Sequence, residues 1–178
     1  MKEMKDMKEE APLGAAFLIS AMMIYPCLSS IFLNTSDKSI TLDFTVQKNG
    51  IEKDYYQKAI RQLKQGIHFF HMIDRVKPEI YKVELSITEY LNKISIQRDM
   101  KSLTPYEIES IYDLFERYFA DDSEEESDNE LSNEQWQQHN QLYEALYQYI
   151  CHADFVPIRA FRDYDAIYIH QVTEQKKG

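Results

Sequence analysis

The chain has 178 residues, 28% of them charged, with a formal charge of −10 at neutral pH and a mean hydropathy of −0.53. That length suits one domain with an ordinary core. The acidic balance speaks against nucleic-acid binding, which depends on Lys and Arg neutralising phosphates. Four glycines, at positions 14, 50, 66 and 178, cannot assemble a Gly-x-Gly-x-x-Gly loop, a Walker loop or a Gly-x-Ser-x-Gly elbow, and Cys27 and Cys151 make no disulfide framework.

Residues 11–36 hold no charged side chain. Two readings of this N-terminal segment stand side by side. Leu13 to Leu33 is long enough for a membrane span, which calls for roughly 20 mainly apolar residues, and would make the protein membrane-anchored or exported. Against that, Lys2, Lys5 and Lys8 are balanced by Glu3, Asp6, Glu9 and Glu10, so the positive flank of a cleavable signal is missing. Pro26 would also interrupt a spanning helix. The other reading is cytoplasmic and divides the run at Pro26 into a buried helix over 13–25 and a strand over 27–33, with residues 34–38 turning into the next strand.

Residues 39–47 alternate, with Ile40, Leu42, Phe44 and Val46 on one face and Thr41, Asp43 and Thr45 on the other, which predicts a strand. Asn49 and Glu52 have capping-box spacing ahead of a helix over 52–76. Its expected buried stripe is Tyr56, Ile60, Leu63, Ile67 and Phe70, weakened by Gly66 at a cost of roughly 1 kcal/mol relative to alanine. A neighbouring stripe carries Lys53, Arg61, Lys64, His68, His71 and Arg75, the concentrated basic surface of an acidic chain. It reads as a solvated face or as a docking surface for an anionic group, whether a partner's or the protein's own acidic segment. Two histidines would make that docking pH-sensitive.

Alternation returns over 80–88 and 94–97, giving a hairpin. Thr104-Pro105-Tyr106-Glu107 is a helix start with cap, N1 proline and closing glutamate. The helix runs to Phe119, with Ile108, Ile111 and Phe115 inward and Glu109, Asp113 and Glu116 outward. Residues 121–130 (Asp121, Asp122, Glu124, Glu125 and Glu126 among them) hold no hydrophobic side chain and read as an acidic loop, either a solvated linker or a lure for a basic partner. A second capping box, Ser132 to Gln135, opens a helix to His152 that buries Trp136, Leu142 or Tyr143, Leu146 and Ile150. Strands over 155–161 and 166–172 close the chain as a hairpin, Pro157 placing the first at a sheet edge. The whole is an α+β fold: a mixed or mostly antiparallel sheet of about five strands with three to four helices packed on it, residues 37–178 forming one domain after the apolar segment.

Catalytic, cofactor and metal sites are not assigned. His68, His71 and Asp74 spread over too wide an arc of one helix to share a metal easily, and Cys151 beside His152 reads as a buried thiol next to a helix-ending imidazole. Thirteen tyrosines are many for this length and favour contact surfaces, Tyr143 and Tyr147 lying near the acidic loop. The expected function is a small acidic non-catalytic protein-binding module, inhibitor- or immunity-like in one concrete form, in which Arg61, Lys64, His68, His71, Arg75, the acidic residues 121–126 and Tyr143 and Tyr147 meet a protein partner, a basic one for the carboxylates. A membrane-anchored or exported envelope protein and an enzyme of unrecognised type, centred on His68 and His71 or on Cys151 and His152, are the alternatives.

Overall fold

A computed structural model describes residues 3–34, 36–46, 52–88, 91–119, 132–152, 156–164 and 166–172, with the side chains of 3–13 and 146–152 outside that description. The elements follow in the order α1 (Glu3–Ile24), β1 (Leu28–Asn34), β2 (Ser39–Val46), α2 (Lys53–Ile73), β3 (Tyr81–Ile87), β4 (Asn92–Asp99), α3 (Pro105–Phe119), α4 (Asn133–His152), β5 (Ile158–Asp163) and β6 (Ala166–Gln171). Among the described residues six strands, rather than about five, form one sheet in the order β3-β4-β2-β1-β5-β6, every pairing antiparallel.

The uncharged run of the N-terminus is divided at Pro26. Tyr25 donates its N–H to the Ala21 carbonyl, closing α1, and Leu28 donates to Tyr25 across the turn into β1. β1 is thereby a central strand, hydrogen-bonded to β2 and β5. Phe17, Leu18 and Met22 of α1 are fully buried in one core with Leu28, Ile31 and Leu33 of β1. Among the described residues, no helix is long and apolar enough to cross a membrane.

Strand period assigns the two faces of the sheet. Ile40, Leu42, Phe44 and Val46 of β2, Ile94 and Ile96 of β4, and Ile158 and Ala160 of β5 join the core under the helices. The opposite face carries Thr41, Asp43, Thr45, Lys93, Ser95 and Gln97. Asp43 is nonetheless buried there. Its carboxylate accepts from Ser30 (2.7 Å), Ser95 (2.6 Å) and Lys93 (3.3 Å), so a charge that alternation leaves outward is held in a hydrogen-bonded row across three strands.

Over the core, Phe115 of α3 stacks on Phe44 with ring centroids 4.7 Å apart. α2 lies against α3, where Gly66 permits close approach: a Cβ added there would stand 2.7 Å from Leu114 Cδ1. α1 packs against α4 and β5, and Gly14 likewise leaves room for Ile158, whose Cδ1 would be 2.6 Å from an added Cβ.

Two expectations are corrected. The buried positions of α2 are Tyr56, Ala59, Leu63, Ile67 and His71, a straight run of three- and four-residue steps that leaves Ile60 and Phe70 half-buried. β5 is not an edge strand, because it pairs with β1 on one side and β6 on the other; Pro157 precedes its first residue and contributes a carbonyl that accepts from Val172. Helix α2 is capped by Glu52 without a side-chain hydrogen bond, and Asn49 lies outside the described residues.

Candidate functional site

The basic stripe of α2 divides in two. Arg61, Lys64, His68 and Arg75 are exposed, while His71 is buried at 6% exposure. The reason is angular: the core direction set by Leu63 and Ile67 continues at the next turn to position 71, whereas His68 stands one residue from Ile67, about 100° round the helix. His71 therefore belongs to the interior and drops out of the docking surface that the sequence predicts.

In its place the structure brings apolar residues to the outer pole of the same helix. Phe69, Met72 and Ile73, spaced i, i+3 and i+4 on one face, are each 63% exposed. Met72 follows His68 by one turn and Arg75 follows Met72 by one turn, so the basic side chains border the apolar ridge along one flank. Arg75 adopts a left-handed backbone (φ 55°) just past the helix end, turning the chain away beyond Asp74. Among the described residues no ion pair involves Arg61, Lys64, His68 or Arg75. The ridge has the anatomy of a contact surface, an apolar centre with a charged border.

Beneath the ridge lies a buried ionic cluster. Arg98, fully buried at the last inward position of β4, donates Nε to Glu107 Oε1 (2.5 Å) and Nη2 to Oε2 (2.9 Å), a bidentate pair. His71 Nε2 meets the same Oε1 at 2.7 Å. Arg98 Nη1 reaches Asp99 (2.6 Å) and the Ile80 carbonyl (3.1 Å). Burial works against the charge on Arg98, but the hydrogen bond and charge of Glu107, with Asp99, outweigh it and hold the proton more firmly than usual. For Asp99, burial is outweighed by hydrogen bonds from Ser102 and Ile80 and by the Arg98 charge, so its carboxyl sits below the ordinary range. Tyr81 stands edge-on to His71, and burial together with Glu107 pushes its hydroxyl up to about 12. Glu107 thus leaves the backward-reaching role that the capping box gives it; Thr104 still caps, its hydroxyl accepting from the Glu107 N–H at 3.2 Å. The carboxylate oxygens of Glu107 and Asp99 are all engaged, so the cluster ties α2, α3 and β4 together, while the buried Tyr81 hydroxyl beside it has no hydrogen-bond partner among the described residues.

Three other places bring together side chains capable of chemistry. Ser20 Oγ lies 2.9 Å from His139 Nδ1, an arrangement of nucleophile and base that the sequence reading overlooks. His139 is buried among Phe17, Tyr25 and Trp136, its Nε2 has no hydrogen-bond partner among the described residues, and burial lowers its pKa to about 4. Cys27 donates to Glu116 beside Tyr112, joining Glu109 and Asp113, whose carboxyls burial pushes above the ordinary range. A groove of about 800 Å³ runs between the start of α3 and α4, past Thr104, Tyr106, Asn140 and Glu144.

Of the remaining expected contact residues, Tyr143 is buried, its hydroxyl donating to the Leu103 carbonyl at 2.5 Å, so it seats α4 and is no part of an exposed surface. Asp121, Asp122, Glu124, Glu125 and Glu126 lie outside the described residues, as do the side chains of Tyr147, Cys151 and His152. Among the described residues no three His, Cys, Asp or Glu side chains gather as metal ligands, and His68 and His71 point to opposite environments. No family model, curated protein or solved structure matches this chain.

Proposed function

We propose that this protein is a non-catalytic protein-binding module, and that the outer ridge of α2 receives an acidic amphipathic segment of its partner. The observation that carries this reading is the exposure of Phe69, Met72 and Ile73 beside Arg61, Lys64, His68 and Arg75, which make no ion pair among the described residues. Three adjacent side chains of this size lose hydrophobic stabilisation by facing water, and a contact surface explains their position. The occupant follows from charge: an apolar strip flanked by carboxylates matches both the ridge and its cationic border, in the manner of a helix laid on a hydrophobic surface. Burial of Phe17, Leu18, Met22, Ile31 and Leu33 in one core supports a cytoplasmic module over an anchored one. An inhibitor-like role is the form this takes if the bound segment is part of a target's working surface.

The test places a photo-cross-linking residue at Gln65, which is exposed near the ridge, and at Glu134 on α4 as a control. In the native cell, position 65 is expected to capture a protein with an acidic segment, and Arg61→Glu with Lys64→Glu is expected to abolish that adduct. Equal labelling from both positions, or adducts with anionic lipid alone, would overturn the proposal.

A further inference from the structure

The two edges of the sheet are built differently. β3 presents Lys82 and Glu84, both exposed, and is preceded by Lys77, Pro78 and Glu79, the usual devices against strand addition. β6, the other edge, reads Ala-Ile-Tyr-Ile-His-Gln: six residues with no Lys, Arg, Asp, Glu or proline, in a chain of net charge −10. Among the described residues no strand lies on its outer side.

The hairpin fixes which backbone groups face outward. β5 and β6 are joined at the Asp163–Ala166 pair by a two-residue loop, with Tyr164 in the left-handed region (φ 51°). At the far end, the Val172 N–H donates to Pro157 at 2.8 Å. Antiparallel pairs alternate between hydrogen-bonded and non-hydrogen-bonded. Residues 166, 168, 170 and 172 therefore turn toward β5, and Ile167, Ile169 and Gln171 turn their N–H and C=O groups outward.

We propose that β6 pairs with β6 of a second copy, antiparallel about a two-fold axis, making one continuous sheet through both molecules. The outward groups select the register. Ile169 faces Ile169 of the second copy and Ile167 faces Gln171 of the second copy, which gives about six hydrogen bonds between the strands. On the open face, Tyr168 then lies opposite His170 of the second copy. That extends the aromatic cluster in which Tyr168 stacks on Phe161 with centroids 5.4 Å apart and His170 stands edge-on to Phe161 at 5.7 Å. No like charges oppose one another anywhere along this pairing. A second copy is thus the one partner whose complementary strand the sequence itself specifies.

The test is sedimentation equilibrium of the full chain. The expected result is a concentration-dependent species at twice the chain mass of 21.2 kDa. Gln171→Pro removes an outward N–H that the monomer does not use, and Tyr168→Lys with His170→Lys sets two cations against two across the axis. Each is expected to weaken association at least about tenfold while leaving the circular dichroism and thermal midpoint of the monomer near the wild-type values. A monomer at every concentration, or a dimer indifferent to both variants, would overturn the proposal. So would a dimer lost only when Phe69, Met72 and Ile73 are changed, since that would place self-association on α2.

Discussion

Over its last two turns α2 is inside out, and its two sides make the instructive comparison. Inward, His71 meets a buried carboxylate that it shares with the buried Arg98; outward, Phe69, Met72 and Ile73 face water. A helix serving stability alone would place these residue types the other way round. On the inner side the exception has a geometric cause. Arg98 continues the inward alternation of Ile94 and Ile96 at the end of β4, where α2 and α3 both approach the sheet edge, and one ionic cluster fastens all three elements. On the outer side nothing in the described residues rewards the arrangement, and that contrast is what points to a partner. Polar groups inside can be explained by their own hydrogen bonds; apolar groups outside cannot.

The largest effect should come from breaking the inner side. Glu107→Ala takes one of its two carboxylate partners from the buried Arg98, and loss of one member of a buried pair costs about 3–5 kcal/mol. Urea denaturation should show that loss. Replacing both residues together, Arg98→Met with Glu107→Leu, should recover part of it, because no guanidinium is then left short of a carboxylate, while Asp99 and His71 each lose one partner. If the double variant is as unstable as the single, the cluster is needed for packing and not merely satisfied by it.

A second buried polar group sharpens the point through pH. His139 has its pKa lowered to about 4 by burial, against about 6.5 in an unfolded chain. Above the unfolded value both states carry neutral imidazole and stability is unaffected. As pH falls through 6.5 toward 4, the unfolded state takes up a proton that the folded state refuses, so stability falls across that window, by up to about 3 kcal/mol. His139→Phe should flatten this part of the pH–stability curve. An unchanged slope would assign the acid sensitivity elsewhere.

Much of this fold was legible in the chain. Alternation marked β2 and β3, the Thr104 and Ser132 boxes placed the starts of α3 and α4, and Pro26 marked the break between α1 and β1. The Ser132 box is formed reciprocally, with Gln135 accepting from the Ser132 N–H and Ser132 from the Gln135 N–H. What sequence reading missed was the interior polar chemistry. Arg98 lies two residues beyond Ile96 on the inward parity of a strand, and that signal was readable once the strand was extended past Gln97. Glu107 matched a capping motif so well that its second role was hidden. The exposed apolar ridge escapes sequence reading for a related reason: the four-three spacing draws Phe70 into the buried stripe, and a rotation of one position carries its neighbours outward.

The seam beside the ridge gives a smaller effect. Gly66 lowers helix propensity by roughly 1 kcal/mol relative to alanine, yet a side chain there must displace Leu114. Gly66→Val should therefore destabilise by about 1–3 kcal/mol through overpacking, and Leu114→Ala should relieve part of that cost in the double variant. Additive losses in calorimetry would mean that the two positions do not press on one another.

The smallest effect on stability, and the most telling for function, belongs to the outer side. Changing Phe69, Met72 and Ile73 to Ser removes side chains that are mostly solvated already, so the unfolding free energy should stay within about 0.5 kcal/mol per site. The cross-link from Gln65 should nevertheless disappear, because the apolar centre of the contact has gone while its cationic border remains. Arg61→Glu with Lys64→Glu should give the same loss by the opposite route, and raising the ionic strength should mimic the charge reversal but not the serine substitutions. A large fall in stability for the serine variant would instead mean that the ridge is covered by this chain's own residues, and the inversion of α2 would then be internal packing.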